Sequence, residues 1–589
     1  MAETQRSKIE AKEIRVGDLF SENFMFKIPI YQRPLSWNSD NFDQVFEDIN
    51  DARSADNEQY FLGSILLHEL DRKNQYELVD GQQRLTALII LLAVIRDFTD
   101  AEDLKDKIKN SWIYQKEDRY KRIPAVMRVT PWEDLRELFA KYVYKLDGTN
   151  AFIQDFDGGL VSYKDTQAPT YHLWEAITTF KKKIVQLDDV VEFITYLLNE
   201  VYMVYIKTPE LTSAFRLFSV LNARGLPLSP CDLLKSENLG AIQDDREKET
   251  CAQIWRKVED DLGRDELDNL IAYVRTIKTR EKASLGMYEE FHKLFRSGAL
   301  EMGSGFIRYV REMADIYEDK VLDGQISVTD LEKKNKYKVV IDLMYRFIPF
   351  LDWIPPIMRF YHKFKSENDL LSFVLLLEKK VVLEWADGFT RAERITSLNR
   401  VLKLVEERSE PVQVINELLS YRGDEDGRGK ESRFLNFGDN HELVSTLKNV
   451  LDSTQFYSIF GGRFARYILL RADMELWDLE NFPGYPGTVT VEHILPQTPS
   501  ERSQWVSIFN DEDRKVWTSR LGNLVLLSGR KNSNAQNFDF DKKKEIYFRK
   551  KSTPFRITQQ LEHYSDWTIQ TVTKRHEEIM KNIQMIFVS

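Results

Sequence analysis

Cysteine is nearly absent: Cys231 and Cys251 are the only two in 589 residues. Two thiols cannot staple a chain of this length, and they supply no zinc cluster. Long apolar runs are missing too. The longest, Leu85 to Ile95, is interrupted by Thr86 and falls short of the ~18 apolar residues that a bilayer-crossing helix needs. The stretch Met1-Ala2-Glu3-Thr4-Gln5-Arg6 contains no apolar signal core, so no export is expected. A reducing cytoplasm and no membrane partner follow as expectations. There is no Gly-x-x-x-x-Gly-Lys-Ser/Thr loop; Gly427-Arg428-Gly429-Lys430-Glu431 does not make one. Positive charge is in deficit, with a net charge of −11. That argues against non-specific coating of nucleic acid and leaves room for a local basic groove.

What is present is ordinary globular material: 42% hydrophobic and 30% charged residues. The length exceeds a single core, so roughly two to four domains are expected. Residues 1–240 read as mixed α/β. Phe61 to His68 and Gln75 to Val79 are short apolar strands around the turn-rich Asp71-Arg72-Lys73-Asn74. A helix starts near Gln82, with Leu85, Leu88, Ile89, Leu92 and Ile95 at helical spacing. Val201 to Ile206 reads as another strand, followed by a helix through Leu217 and Leu221. Residues 241–430 read as amphipathic helices, ending in a charged, glycine-rich linker at Tyr421 to Lys430. The last unit is 431–589.

That last unit carries the sharpest chemical signal. Val491-Glu492-His493-Ile494-Leu495-Pro496-Gln497 is followed by Leu521-Gly522-Asn523-Leu524-Val525-Leu526-Leu527 and by Arg530-Lys531-Asn532. Cleaving a phosphodiester needs an activated water, neutralised phosphate charge and a stabilised leaving oxygen. A neutral imidazole at His493 supplies the base. Glu492 and Asn532 offer hard oxygen ligands that suit Mg²⁺ or Mn²⁺ better than zinc. Asn523 is placed to hold the His493 ring in its productive tautomer. Leu521 to Gln560 carries nine Lys/Arg against three Asp/Glu. Arg530, Lys531, Lys542 and Lys543 are therefore expected to face the phosphates of double-stranded DNA.

A second constellation lies near the N-terminus. Val79-Asp80-Gly81-Gln82-Gln83-Arg84 ends a strand and opens a helix, whose free N–H groups favour anions. Gly81 permits the tight turn. Gln82, Gln83 and Arg84 add donors, and Asp80 offers a carboxylate for a metal or a sugar hydroxyl. Tyr31-Gln32-Arg33-Pro34-Leu35-Ser36-Trp37 combines a guanidinium with aromatics, a mix that suits a nucleobase and a phosphate. Asn222-Ala223-Arg224-Gly225-Leu226-Pro227-Leu228-Ser229 adds a third Arg-bearing motif.

The C-terminal residues resemble the HNH nuclease motif, which the pattern Asp/Glu-His-Ile-x-Pro opens and which is built from two strands and a helix. The resemblance implies His493 as base, Glu492 and Asn532 as metal ligands, and Asn523 as the central residue of the motif. Asn534 and Asn537 rival Asn532. The 30-residue step from His493 to Asn523 is longer than in compact HNH domains and implies an inserted helix around Asp511 to Ser519. Tyr-Gln-Arg-Pro, Asp-Gly-Gln-Gln-Arg and Asn-x-Arg-Gly-x-x-Leu-Ser resemble the signature blocks of the ParB/sulfiredoxin-like N-terminal domain of GmrSD-type restriction proteins. Together the two ends resemble that family's whole architecture.

The expected fold is therefore a multidomain α+β chain: a ParB/sulfiredoxin-like α/β sensor, a helical middle and a ββα-metal (HNH) nuclease. The resemblance implies an NTP bound or hydrolysed through Arg33, Asp80, Gly81, Gln82, Gln83, Arg84, Asn222 and Arg224. That step would license cleavage of invading phage DNA, often modified DNA, and homo-oligomerisation is compatible with it. Two rivals stay open. One is a nucleotide-gated DNA-binding protein with an inactive nuclease fold. The other is an NTPase subunit that acts with a separate nuclease.

Overall fold

A computed structural model describes residues 9–588 apart from 30–31, 33, 56–58, 71–73, 118, 121–124, 164–165, 167, 209–229, 421–440 and 549–552. The chain divides into two compact units. One is Met1–Arg256 with Met302–Ile307, and the other is Lys257–Glu301 with Arg308–Ser589. Among the described residues no helix is long and apolar enough to cross a membrane.

The first unit is built on a mixed sheet. Its strands are β1 (Glu10–Arg15), β2 (Met25–Lys27), β3 (Tyr60–Glu69), β4 (Gln75–Asp80), β7 (Val129–Thr130) and β8 (Val201–Thr208), in the order β1-β8-β3-β4-β2-β7. A separate ladder joins β5 (Tyr114–Gln115) to β6 (Val126–Met127). β8 lies antiparallel to β1 and parallel to β3, and β3 and β4 form the antiparallel pair expected from their turn. Val201, Met203 and Tyr205 of β8 are buried, in step with the strand's two-residue period. The helix Gln82–Phe98 follows β4 directly, as its periodicity predicts. Every residue from Leu85 to Arg96 on it is buried, so it runs through the core instead of lying on it. The one charge in that run is satisfied. Arg96 donates to the carbonyls of Val143 at 3.0 Å and Lys145 at 2.7 Å, and pairs with Asp97 at 2.6 Å. The helix expected through Leu217 and Leu221 lies outside the described residues.

The second unit is helical from Arg264–Thr279 to Pro411–Ser420, as the amphipathic pattern predicts. Two buried charge clusters pin its longest helix, Glu367–Ala386. Glu378 accepts from Arg471 at 2.6 Å and from the Tyr467 hydroxyl at 2.6 Å, which ties it to the helix Arg463–Met474. Glu384 takes Lys380 and the Ser397 hydroxyl. The boundary expected at 430 and the charged linker both fall in the undescribed 421–440 segment.

Beyond it stand β9 (Val489–His493) and β10 (Leu524–Ser528), antiparallel, with His493 opposite Leu524 and Val489 opposite Ser528. The helix Gly529–Ala535 follows β10, and the insert between the strands holds helices Gln504–Ile508 and Asp511–Trp517. The second of these is the helix expected from the long spacing, opened by a reciprocal cap between Asn510 and Asp513. The approach to β9 is held from two sides. Arg346 donates to the carbonyls of Pro486 at 2.7 Å and Gly487 at 3.3 Å. Asp473 receives the Tyr485 hydroxyl at 2.9 Å and the Ile557 N–H at 2.7 Å.

Candidate active site

Glu492 and His493 end β9. Consecutive residues of a strand face opposite sides, and the contacts follow that rule. Glu492 turns towards the helix Phe540–Phe548, where its Oε1 accepts from Lys543 Nζ at 2.6 Å and from the Tyr547 hydroxyl at 3.2 Å. His493 turns towards Tyr457, whose ring meets the imidazole edge-to-face at 4.4 Å between centroids. Gln497 Nε2 stands 3.5 Å from His493 Nε2. The imidazole is 9% exposed. Burial, and then the neighbouring Lys543 charge, push its pKa down to about 4. The ring is therefore uncharged at neutral pH, with a basicity below that of a base tuned to the working pH. Burial pushes Glu492 up and Lys543 down, and their mutual attraction opposes both shifts.

Asn523 does not hold the imidazole, as the spacing suggested. Its side chain is fully buried and clamps the backbone beyond His493. Oδ1 accepts from Leu495 N–H at 2.7 Å and Trp567 Nε1 at 3.2 Å; Nδ2 donates to Leu495 C=O at 2.9 Å and Thr518 C=O at 2.8 Å. That saturates an amide. Its own carbonyl takes Ile494 N–H at 3.0 Å. Asn523 thus fixes where β9 ends and acts on His493 through the main chain. The turn that carries it is buttressed by the last helix, Ile569–Phe587. Gly522 donates to His576 Nδ1 at 3.2 Å and accepts from Arg575 at 2.5 Å. A Cβ on Gly522 would sit 2.6 Å from His576 Cβ, so the position requires glycine.

Asn532, on the helix after β10, donates from Nδ2 to Val491 C=O at 3.2 Å. That leaves Oδ1 as its acceptor oxygen. Among the described residues no three His, Cys, Asp or Glu side chains gather as a cation cage. The donors expected for a divalent ion, the Glu492 carboxylate and the Asn532 amide oxygen, are both hard; the contacts of the first are Lys543 and Tyr547, and that of the second is the Val491 carbonyl. Glu492 already attracts a cation, since the Lys543 ammonium sits on it. The donor types suit a metal of the Mg²⁺ class, while Glu492 is held by Lys543 and Tyr547 on the face of β9 that points away from the His493 ring.

The basic residues divide. Arg530 and Lys542 are exposed, and Lys542 pairs with Glu545 at 2.6 Å. Lys531 donates to the Tyr547 carbonyl near the end of its helix. Lys543 is a correction: it is fully buried on Glu492 and cannot contact DNA. A signal for this stands in the sequence. Phe540, Lys543 and Tyr547 recur at helical spacing, which turns Lys543 to the apolar face. Tyr457 sits some 36 residues upstream by number, and nothing in the motif marks it. Of the rivals to Asn532, Asn537 donates to the Thr498 hydroxyl at 3.3 Å and Asn534 is exposed.

In the first unit, two of the three motifs meet at the end of β4. Gly81 is left-handed at φ +88°, and a Cβ there would lie 2.6 Å from Ile65 Cγ2. Gln83 holds the Pro34 to Trp37 loop: it accepts from Ser36 N–H at 3.1 Å and Trp37 N–H at 3.3 Å, and donates to Pro34 C=O at 2.9 Å. Gln32 donates to Val79 C=O at 2.7 Å. Arg84 donates to Ser64 C=O at 2.8 Å beside Gly63. Gln82 and Asp80 lie half-buried beside the turn. Arg33, Asn222 and Arg224 lie outside the described residues.

Comparison with known families places both ends. Residues 16–239 match the family described as GmrSD restriction endonuclease, N-terminal domain, and residues 444–582 match GmrSD restriction endonucleases, C-terminal domain. No curated protein matches the chain.

Proposed function

We propose that this chain, which belongs to the GmrSD restriction endonucleases, cuts DNA at the end of β9 by HNH-type chemistry, with His493 as the base. The observation that carries the reading is the clamp on that strand. Asn523 holds Leu495, two residues beyond His493, through two hydrogen bonds and is itself anchored by Thr518 and Trp567, which fixes the strand end that carries the imidazole. The ring then takes a proton from water as the water attacks phosphorus. Glu492 and Asn532 would hold a Mg²⁺ or Mn²⁺ ion, which when bound neutralises charge on the scissile phosphate and the leaving oxygen. Exposed Arg530 and Lys542 would meet flanking phosphates. The Tyr457 ring covers the imidazole, so a DNA strand reaches His493 after that ring moves.

The first unit is proposed to bind a nucleoside triphosphate at the N-terminus of the helix Gln82–Phe98. The free N–H groups there favour phosphate, and Gln83 draws the Pro34 to Trp37 loop against it while Gln32 bonds the end of β4. Arg33, Asn222 and Arg224 belong to this proposal by resemblance alone. Nucleotide binding would license cleavage of phage DNA, including modified DNA, in the cytoplasm.

A nicking assay on plasmid DNA with Mg²⁺, with and without each NTP, tests the reading. His493→Ala should lose about 100-fold or more of the cleavage rate, the usual worth of a positioned base. NTP affinity should be unchanged. Full nicking by His493→Ala protein would remove the base from the mechanism.

A further inference from the structure

We infer that Lys543 is a resident cation on the Glu492 carboxylate, which a divalent metal must displace, so that this lysine sets the metal demand of the site. The inference rests on the metal-assisted reading above and concerns the regulation of that same site.

Lysine is among the residues least often fully buried, and an unpaired ammonium in a core is costly. Lys543 is buried completely, and the structure shows what holds it. Its Nζ donates to Glu492 Oε1 at 2.6 Å and to the His493 carbonyl at 2.6 Å. It therefore bridges the expected metal ligand and the backbone of the expected base. A plain core staple has no need of this address, since a buried ion pair can often be replaced by apolar residues at little cost.

The groups that meet the pair come from two elements. β9 brings Glu492 and the His493 carbonyl. The helix Phe540–Phe548 brings Tyr547, whose hydroxyl donates to the same Oε1 at 3.2 Å. Behind Tyr547 stands the fully buried Arg575 of the helix Ile569–Phe587, whose charge neighbour is Glu578. One buried ammonium on one carboxylate leaves the pair no anionic charge to spare. A divalent ion on Glu492 beside a resident ammonium would face direct repulsion across a desolvated site. Occupation by metal and occupation by Lys543 are therefore alternatives. The unloaded site is latched: the Glu492 carboxylate is paired with Lys543.

Mn²⁺ binding to the full-length protein, followed by electron paramagnetic resonance without DNA, separates the possibilities. Glu492→Gln defines the portion of binding that belongs to this site. Lys543→Met keeps the stem's bulk and removes the competing charge. It should bind Mn²⁺ more tightly than the parent, within the roughly 5- to 150-fold span of ordinary coupling. Lys543→Arg keeps the charge and should show no such gain. If Lys543→Met fails to fold, amine labelling of Lys543 in the parent protein, read by mass spectrometry, takes its place. Labelling should rise when Mn²⁺ is added. Glu492-dependent binding that is unchanged or weaker in Lys543→Met, or labelling indifferent to Mn²⁺, overturns the latch while leaving the metal reading standing. Absence of any Glu492-dependent binding, in either background, overturns both.

Discussion

The two motif clusters of this chain spend their polar side chains differently. At the end of β4, Gln83, Gln32 and Arg84 are neutral-acceptor or carbonyl-bound groups that hold loops in place. The helix that opens at Gln82 carries no side-chain cap on its first main-chain N–H groups. At the end of β9, the motif side chains are charged or titratable and sit in the core. Glu492 lies against Lys543, and His493 lies under Tyr457. The difference teaches where each cluster is vulnerable. The first is an arrangement of backbone that tolerates the loss of one bond. The second is an electrostatic balance that does not tolerate the loss of one partner.

The largest expected effect comes from breaking that balance. Glu492→Ala leaves Lys543 buried without its carboxylate and should cost about 3–5 kcal/mol of stability, the usual penalty for an orphaned buried charge. Lys543→Met in the same background should return most of that loss, because the remaining charge goes with it. Chemical denaturation of the single and double variants measures both. A single variant as stable as the parent would mean that water already reaches the pair.

Acid should expose the second weakness. The folded His493 has its pKa pushed down to about 4, below that of the unfolded chain near 6.5. Between those values the unfolded state binds more protons, so stability falls as pH falls from about 6.5 to about 4. The full shift is worth up to roughly 3 kcal/mol. The groups that set it are the ring's burial and Lys543. The difference in unfolding free energy between the parent and His493→Gln, followed from pH 7 to pH 4.5, should narrow as pH drops. A difference that stays flat would mean the ring is solvated in the folded state.

Gly81→Ala probes the first cluster. Its φ of +88° is unfavourable for a residue with a Cβ, and that atom would lie 2.6 Å from Ile65. About 1–3 kcal/mol is expected, typical of a strained backbone position, together with weaker NTP binding. Thermal unfolding and nucleotide titration read the two effects separately.

Much of the fold was legible because apolar periodicity reports burial directly. β3, β4, β8 and the helix after Gly81 stand where pattern puts them, and the helix Asp511–Trp517 stands where the resemblance to HNH domains implied an insert. The motif residues at the C-terminal site were legible by type, and their partners were not. A run of three lysines reads as a basic surface, yet helical phase turns Lys543 inward while Lys542 faces solvent. Asn523 was legible as a site residue, but its contacts with Leu495 and Thr518 depend on how a strand end meets a turn, which local pattern does not carry. Tyr457 reaches His493 only through tertiary packing.

The smallest effect sharpens the comparison most. Gln83→Ala removes two acceptor contacts to Ser36 and Trp37 and one donor contact to Pro34. Those loop groups are largely exposed, so water replaces the amide, and about 1 kcal/mol of stability should be lost. The loop would no longer be drawn against the turn at Gly81, so NTP affinity should fall several-fold more than stability suggests. The β9 site lies in the other compact unit, and Glu492-dependent Mn²⁺ binding should not change. If Gln83→Ala costs as much as Glu492→Ala, the first cluster is held by the same tight balance as the second. The contrast between backbone arrangement and buried charge then fails.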